Sequence, residues 1–135
     1  MFSVRVRGMP GERILIVDDN PQSLKLAQIV LSDEGYEIQT AGDAEQALDL
    51  IAAFEPAAVL VDIRLPGMDG LELTRRLRRD ARYKRMIILA VSAHRKEQAE
   101  AGALAAGCDG FISKPINLDV LVQTLAAHLA RVRAG

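Results

Sequence analysis

Five short apolar runs alternate with five segments of helical character, and each change between them is marked by a capping or breaking residue. The runs are Arg13 to Val17, Tyr36 to Thr40, Ala57 to Val61, Met86 to Val91 and Asp109 to Ile112. A strand half open to water alternates apolar and polar residues, but Ala57-Ala58-Val59-Leu60-Val61 is apolar throughout. That pattern predicts a central parallel strand covered on both faces. Successive strand-helix units joined by right-handed crossovers place helices on both sides of one parallel sheet. The chain is therefore expected to adopt an α/β, doubly wound, five-stranded fold.

The punctuation supports each boundary. Asn20-Pro21 pairs an N-cap with a proline preset for the first helical turn, and Leu24, Ala27, Val30 and Leu31 form one apolar stripe that ends at Gly35. Asp43-Ala44-Glu45-Gln46 reads as a capping box, with Ala47, Leu48, Ile51 and Phe54 facing inward and Pro56 as the stop. Asp69 caps a third helix carrying Leu73 and Leu77. An alanine-rich helix runs from about Arg95 to Ala106 and stops at Gly107. After Asn117, Leu118, Leu121, Val122, Leu125, Leu129 and Val132 recur at three- and four-residue steps.

With 135 residues, half of them hydrophobic, the chain has the size and composition of one globular domain. We divide it into an N-terminal arm, residues 1–11, and a folded domain, residues 12–133, with no output domain. A formal net charge of -1 gives no global attraction to nucleic acid or to an anionic membrane, and neither is expected as a partner. No stretch approaches the roughly 20 apolar residues of a membrane span, and the N-terminus lacks the apolar core of a signal peptide. A cytoplasmic location is expected. Cys108, the single cysteine, forms no internal disulfide and reads as a small apolar residue near a helix end.

The polar residues that interrupt this pattern all follow strands. Asp18-Asp19 follows Ile14 to Val17, Asp62 follows Val61, Ser92 follows Val91, and Lys114-Pro115 follows Phe111-Ile112-Ser113. In an open parallel sheet, chemistry sits beyond the carboxyl ends of the strands, so three acids, a hydroxyl and an amine converge on one edge. Three carboxylates at one edge repel each other, and a divalent cation removes the conflict. Oxygen donors without His or Cys favour Mg²⁺. A carboxylate can also attack phosphorus, and Asp62, at the end of the central strand, is best placed to do so. Mg²⁺ and the Lys114 ammonium would then offset the phosphoryl charge, while the Ser92 hydroxyl could donate to a phosphoryl oxygen.

These residues, in this order and at closely similar spacing from about Arg13 to Arg133, resemble the receiver domains of two-component response regulators. The resemblance implies a flavodoxin-like sheet of order 2-1-3-4-5. It implies Asp62 as phosphoacceptor, and Asp18, Asp19, Asp62 and the backbone carbonyl of Arg64 as Mg²⁺ ligands. Lys114 and Ser92 would contact the phosphoryl group, Phe111 would be the rotating aromatic, and the Lys114-Pro115 bond would be cis. Phe111 lacks a hydroxyl, so no phenol hydrogen bond can signal from it. Arg64 and His94, each two residues past a site residue, are expected at the mouth of the site, tuning access of water.

By the same resemblance the phosphodonor is a histidine kinase or histidine phosphotransfer protein. The signal passes to a separate effector through the face made by the fourth helix, fifth strand and fifth helix, with the chain a monomer or a weak homodimer through that face. The chain is then a phosphoacceptor switch that supports its own phosphorylation and dephosphorylation, not an enzyme in its own right. Two other readings compete with this one. A phosphate-independent receiver-like scaffold fits a sequence that has lost an acid or the lysine, and this one retains them. A Mg²⁺-dependent phosphohydrolase with an aspartate nucleophile wants Asp-x-Asp after its first strand, whereas here the acids are adjacent. The basic run Arg75, Arg76, Arg78, Arg79, Arg82, Lys84 and Arg85 reads as a solvated face at a helix C-terminus.

Overall fold

The computed structural model describes residues 11–93 and 96–134. Most of the expected N-terminal arm, together with His94 and Arg95, lies outside the described residues. The elements run β1 (Arg13–Val17), α1 (Pro21–Asp33), β2 (Glu37–Ala41), α2 (Ala44–Phe54), β3 (Ala58–Asp62), α3 (Gly70–Arg79), a 3-10 turn (Ala81–Tyr83), β4 (Ile87–Ser92), α4 (Lys96–Ala106), β5 (Gly110–Ser113) and α5 (Leu118–Ala134). All strand pairs are parallel and the sheet order is β2-β1-β3-β4-β5, as the resemblance implies.

Strands β2 to β5 are each set one residue later than the apolar runs suggest. Hydrophobicity marks the residues that pack, while strand limits follow the hydrogen-bond ladder, and Asp62 is still paired with Val91, and Ser92 with Ser113. Tyr36, read as the first residue of β2, instead precedes it and is buried in the core layer beneath α1 and α5.

Alternation along the strands divides the core in two. Ile14, Ile16, Leu60, Leu89 and Val91 face α1 and α5, where Ala27, Leu31, Leu121, Leu125 and Leu129 cover them. Leu15, Val17, Val59, Val61, Ile88 and Ala90 point the other way, under Ala47 and Ile51 of α2, Leu73 and Leu77 of α3 and Ala103 of α4. Every residue of β3 is buried, which is why it carries no polar residue until Asp62.

The capping residues act as their chemistry directs. Asn20 Oδ1 accepts from the N–H groups of Gln22 and Ser23 at 2.9 and 3.2 Å. Asp43 accepts from Gln46 N–H at 2.8 Å, but the Gln46 side chain reaches past the cap to accept from Gly42 N–H at 2.8 Å. The box is thus one residue wider than the reciprocal form. Helix α2 ends where Glu55 turns left-handed, φ 53°, and Pro56 bars a further turn.

The basic run is not uniformly solvated. Arg78 lies mostly buried and donates to the carbonyls of Gly107, Tyr83 and Met86 at 2.8, 2.9 and 2.8 Å, and to Asp109 Oδ2 at 2.7 Å. One guanidinium so ties α3 to the 3-10 turn, the entry of β4 and the loop before β5. Periodicity could not separate it from its exposed neighbours, because those carbonyls arrive from distant parts of the chain.

Candidate functional site

The strand order reverses direction between β1 and β3, and the crevice outside their carboxyl ends is where such sheets hold their ligands. Asp18 follows β1 directly, and the parallel register Val17↔Val61 brings it beside Asp62, the last residue of β3. Each acid is anchored by a short backbone turn. Asp18 Oδ1 accepts from Asn20 N–H at 2.9 Å, and Asp62 Oδ1 accepts from Arg64 N–H at 2.9 Å. Both side chains are largely withdrawn from water, whereas Asp19 is exposed at the rim.

One carboxylate oxygen from each of Asp18, Asp19 and Asp62 lies within 4.8 Å of the other two. Lys114 enters from the loop after β5, its Nζ donating to Asp62 Oδ2 at 2.7 Å and standing 3.5 Å from Asp18 Oδ2. Its backbone N–H donates to the Ser92 carbonyl at 2.8 Å, and the following bond to Pro115 is cis. The site is therefore laced to the ends of β3, β4 and β5.

The charges bear on one another. Burial raises the Asp18 carboxyl above its ordinary value, and the Asp62 charge adds to that effect. The Asn20 N–H and the Lys114 ammonium oppose it without cancelling it. Burial by itself would lower the Lys114 ammonium, but its hydrogen bond and charge attraction to Asp62, joined by Asp18, leave it raised. Lys114 thus stays cationic across the physiological range. A single ammonium against three acids leaves excess negative charge held by hard oxygen donors, a donor set that fits Mg²⁺.

Ser92 closes β4, buried, with Ser113 of β5 as its register partner. By strand alternation it shares a face with Ile88 and Ala90, the side on which partly buried Phe111 packs. Arg64 is exposed at the rim two residues beyond Asp62. The structure thus gathers Asp18, Asp19, Asp62, Lys114 and Ser92 at one edge and sets Phe111 one layer below.

Sequence reasoning missed Gly70. It opens α3, donates from its N–H to the Ile63 carbonyl at 2.9 Å, and lies so close to β3 that a Cβ would collide with the Asp62 carbonyl oxygen. The available signal was a glycine in the first turn after cap Asp69, where a helix former costs less.

Comparison with known proteins agrees with this geometry. Residues 14–126 match the family described as response regulator receiver domain. The chain is 38% identical over 120 residues to the sensor histidine kinase RcsC of Salmonella typhimurium, covering 89% of this chain but only 12% of that protein. It is 33% identical over 116 residues to the polar-differentiation response regulator DivK of Brucella ovis, covering 86% of this chain and 94% of DivK. Among solved structures, the chemotaxis response regulator CheY4 of Vibrio cholerae superposes with a TM-score of 0.81 at 29% identity, covering 90% and 98% of the two chains. The receiver domain of NtrX from Brucella abortus does so with a TM-score of 0.80 at 34% identity, covering 87% and 98%. Fold, site and sequence lead to one assignment: this chain belongs to the response regulator receiver domain family of two-component signalling.

Proposed function

We propose that this chain is a phosphoacceptor switch that takes a phosphoryl group from a phosphohistidine of a histidine kinase or histidine phosphotransfer protein onto Asp62. The observation that carries the reading is the 2.7 Å hydrogen bond of Lys114 Nζ with Asp62 inside a triad of acids at the sheet's switch point. An Asp62 oxygen forms the bond to phosphorus as the bond from phosphorus to the donor nitrogen breaks. The imidazole leaves with that electron pair. Asp18, Asp19, Asp62 and the Arg64 carbonyl would hold Mg²⁺, which supplies positive charge to the transferring oxygens.

Lys114 and Ser92 would receive those oxygens. An ammonium already beside the acceptor is a preorganised counter-charge, and the Ser92 hydroxyl lies at the end of the neighbouring strand. Movement of Ser92 toward the phosphoryl group would draw on the loop between β4 and α4 and change the packing of Phe111. The α4-β5-α5 surface would pass the change to an effector, or to a second copy of the chain in a weak dimer. A coupling of about 1–3 kcal/mol between site and surface suffices for such a switch.

The test is intact mass after incubation with Mg²⁺ and acetyl phosphate, for wild type and Asp62→Asn. A phosphoryl adduct in the wild type alone is expected. No adduct, with no spectral response to beryllofluoride, would overturn the reading in favour of a phosphate-independent interaction scaffold.

A further inference from the structure

We propose that Gly70 sets the metal preference of the acid cluster by bracing the turn that carries its ligands; the inference rests on the Mg²⁺ site proposed above. Gly70 is buried at the first position of α3, and its φ lies outside the left-handed region. Its need for glycine is therefore one of space. A Cβ there would overlap the Asp62 carbonyl oxygen and lie 2.8 Å from Val61 Cγ1 and 2.9 Å from the α-carbon of Ile63. Two of those three atoms belong to backbone, which cannot rotate aside as a flexible side chain can.

Helix α3 is thus pressed directly against the exit of β3. The Gly70 N–H donates to the Ile63 carbonyl at 2.9 Å, and Thr74 Oγ1, fully buried, donates to the Gly70 carbonyl at 2.8 Å. The stretch held in this way, Asp62-Ile63-Arg64, carries both the Asp62 carboxylate and the Arg64 carbonyl.

Magnitudes decide what a methyl group would do. Carbon atoms rest at roughly 3.5 Å or more, so relieving the overlap with the Ile63 backbone alone requires the turn to retreat from α3, or α3 from the turn, by about 0.6 Å. Ligand distances of Mg²⁺ and Ca²⁺ differ by only about 0.3–0.5 Å, and Mg²⁺ tolerates departure from its octahedron poorly while Ca²⁺ is adaptable. The retreat exceeds the margin that separates the two ions. Gly70→Ala should accordingly weaken Mg²⁺ far more than Ca²⁺.

The experiment is a titration of Mg²⁺ and, separately, Ca²⁺ into wild type, Gly70→Ala and Gly102→Ala, followed by amide chemical shifts. Gly102 is the control, since a Cβ there meets only Leu71 Cδ1 at 3.8 Å. The expected result is a fall of about tenfold in the Mg²⁺ to Ca²⁺ affinity ratio for Gly70→Ala, with Gly102→Ala unchanged. Equal weakening of both ions by Gly70→Ala would overturn the proposal while leaving the Mg²⁺ site standing. Failure of wild type to bind Mg²⁺ at all would instead remove the site on which it rests. Should Gly70→Ala not fold, Thr74→Val, which removes the bond to the Gly70 carbonyl at nearly constant volume, must shift the ratio in the same direction; an unchanged ratio overturns the inference.

Discussion

Lys114 holds Asp62 by a 2.7 Å hydrogen bond that links two residues 52 positions apart in sequence. It joins the loop after β5 to the end of β3, so the ammonium reports on the charge at Asp62 and on the position of β5 together. Replacing it by Met keeps the stem and removes the charge. Lys114→Met should leave the acids without their cation, raise the Asp18 carboxyl further, and abolish or strongly reduce the adduct with acetyl phosphate. Removing one partner of a largely buried pair typically costs about 3–5 kcal/mol, and solvent around a side chain that is 25% exposed trims that to about 1–2 kcal/mol here. Urea denaturation and intact mass measure the two effects separately.

Asp18 makes the opposite contribution. Its carboxyl is raised, mainly by burial, so the folded chain binds a proton there more tightly than the unfolded chain, whose value is near 3.8. By linkage, stability from this group falls as pH rises through the window just above 3.8, and the cost is fully present at neutral pH. Asp18→Asn should therefore raise the melting temperature of the metal-free protein at pH 7. The gain should fade as pH is lowered toward 3.8. Mg²⁺ should stabilise wild type, by about 2.7 kcal/mol at a hundred times its dissociation constant, and stabilise Asp18→Asn far less. A melting series over pH, with and without Mg²⁺, reads all of this at once.

Much of this candidate site is legible in sequence because its acids, Ser92 and Lys114 come at or just after the ends of apolar runs, and the run fixes where in the sheet each residue emerges. Asp62 after an unbroken buried strand is the clearest case. The acids, Ser92 and Lys114 follow by the same logic once the strands are parallel neighbours. Gly70 and Arg78 escape it because their roles depend on approach between elements. The collision at Gly70 exists only when α3 lies on β3, and the acceptors of Arg78 come from residues 5 to 31 positions away. Periodicity records which face of an element is apolar, but not how closely two elements meet.

Arg64 stands exposed beside the acceptor, its N–H fixed to the Asp62 carboxylate at 2.9 Å while its side chain reaches the rim. On the proposed function, a bulky cation there would shield an acyl phosphate at Asp62 from water. Arg64→Asn preserves the backbone anchor and shortens the side chain. The phosphorylated variant should lose its phosphoryl group faster, by about tenfold for about 1.4 kcal/mol of barrier. The decay of the adduct followed by mass checks this, and an unchanged rate would remove Arg64 from any gating role.

Arg78 offers the sharpest separation of stability from function. Its guanidinium serves Gly107, Tyr83, Met86 and Asp109, and Asp109 Oδ2 also accepts from Ile88 N–H at 2.8 Å. These partners lie at the entries of β4 and β5, the end of the sheet away from the acids. Arg78→Ala would take the guanidinium donors from three carbonyls and a carboxylate in a half-buried setting, and a loss of about 3 kcal/mol is expected, a large share of the roughly 5–15 kcal/mol that holds a domain folded. Arg78→Lys should recover little, because an ammonium cannot present the planar fork that meets acceptors on several sides. Gly107 closes the arrangement, since a Cβ there would lie 2.6 Å from Arg78 Cγ. Denaturant midpoints should therefore fall for Arg78→Ala and Gly107→Ala alike, while Mg²⁺ affinity measured on the folded fraction stays at the wild-type value. A drop in that affinity would mean that the two poles of the sheet are coupled through β4.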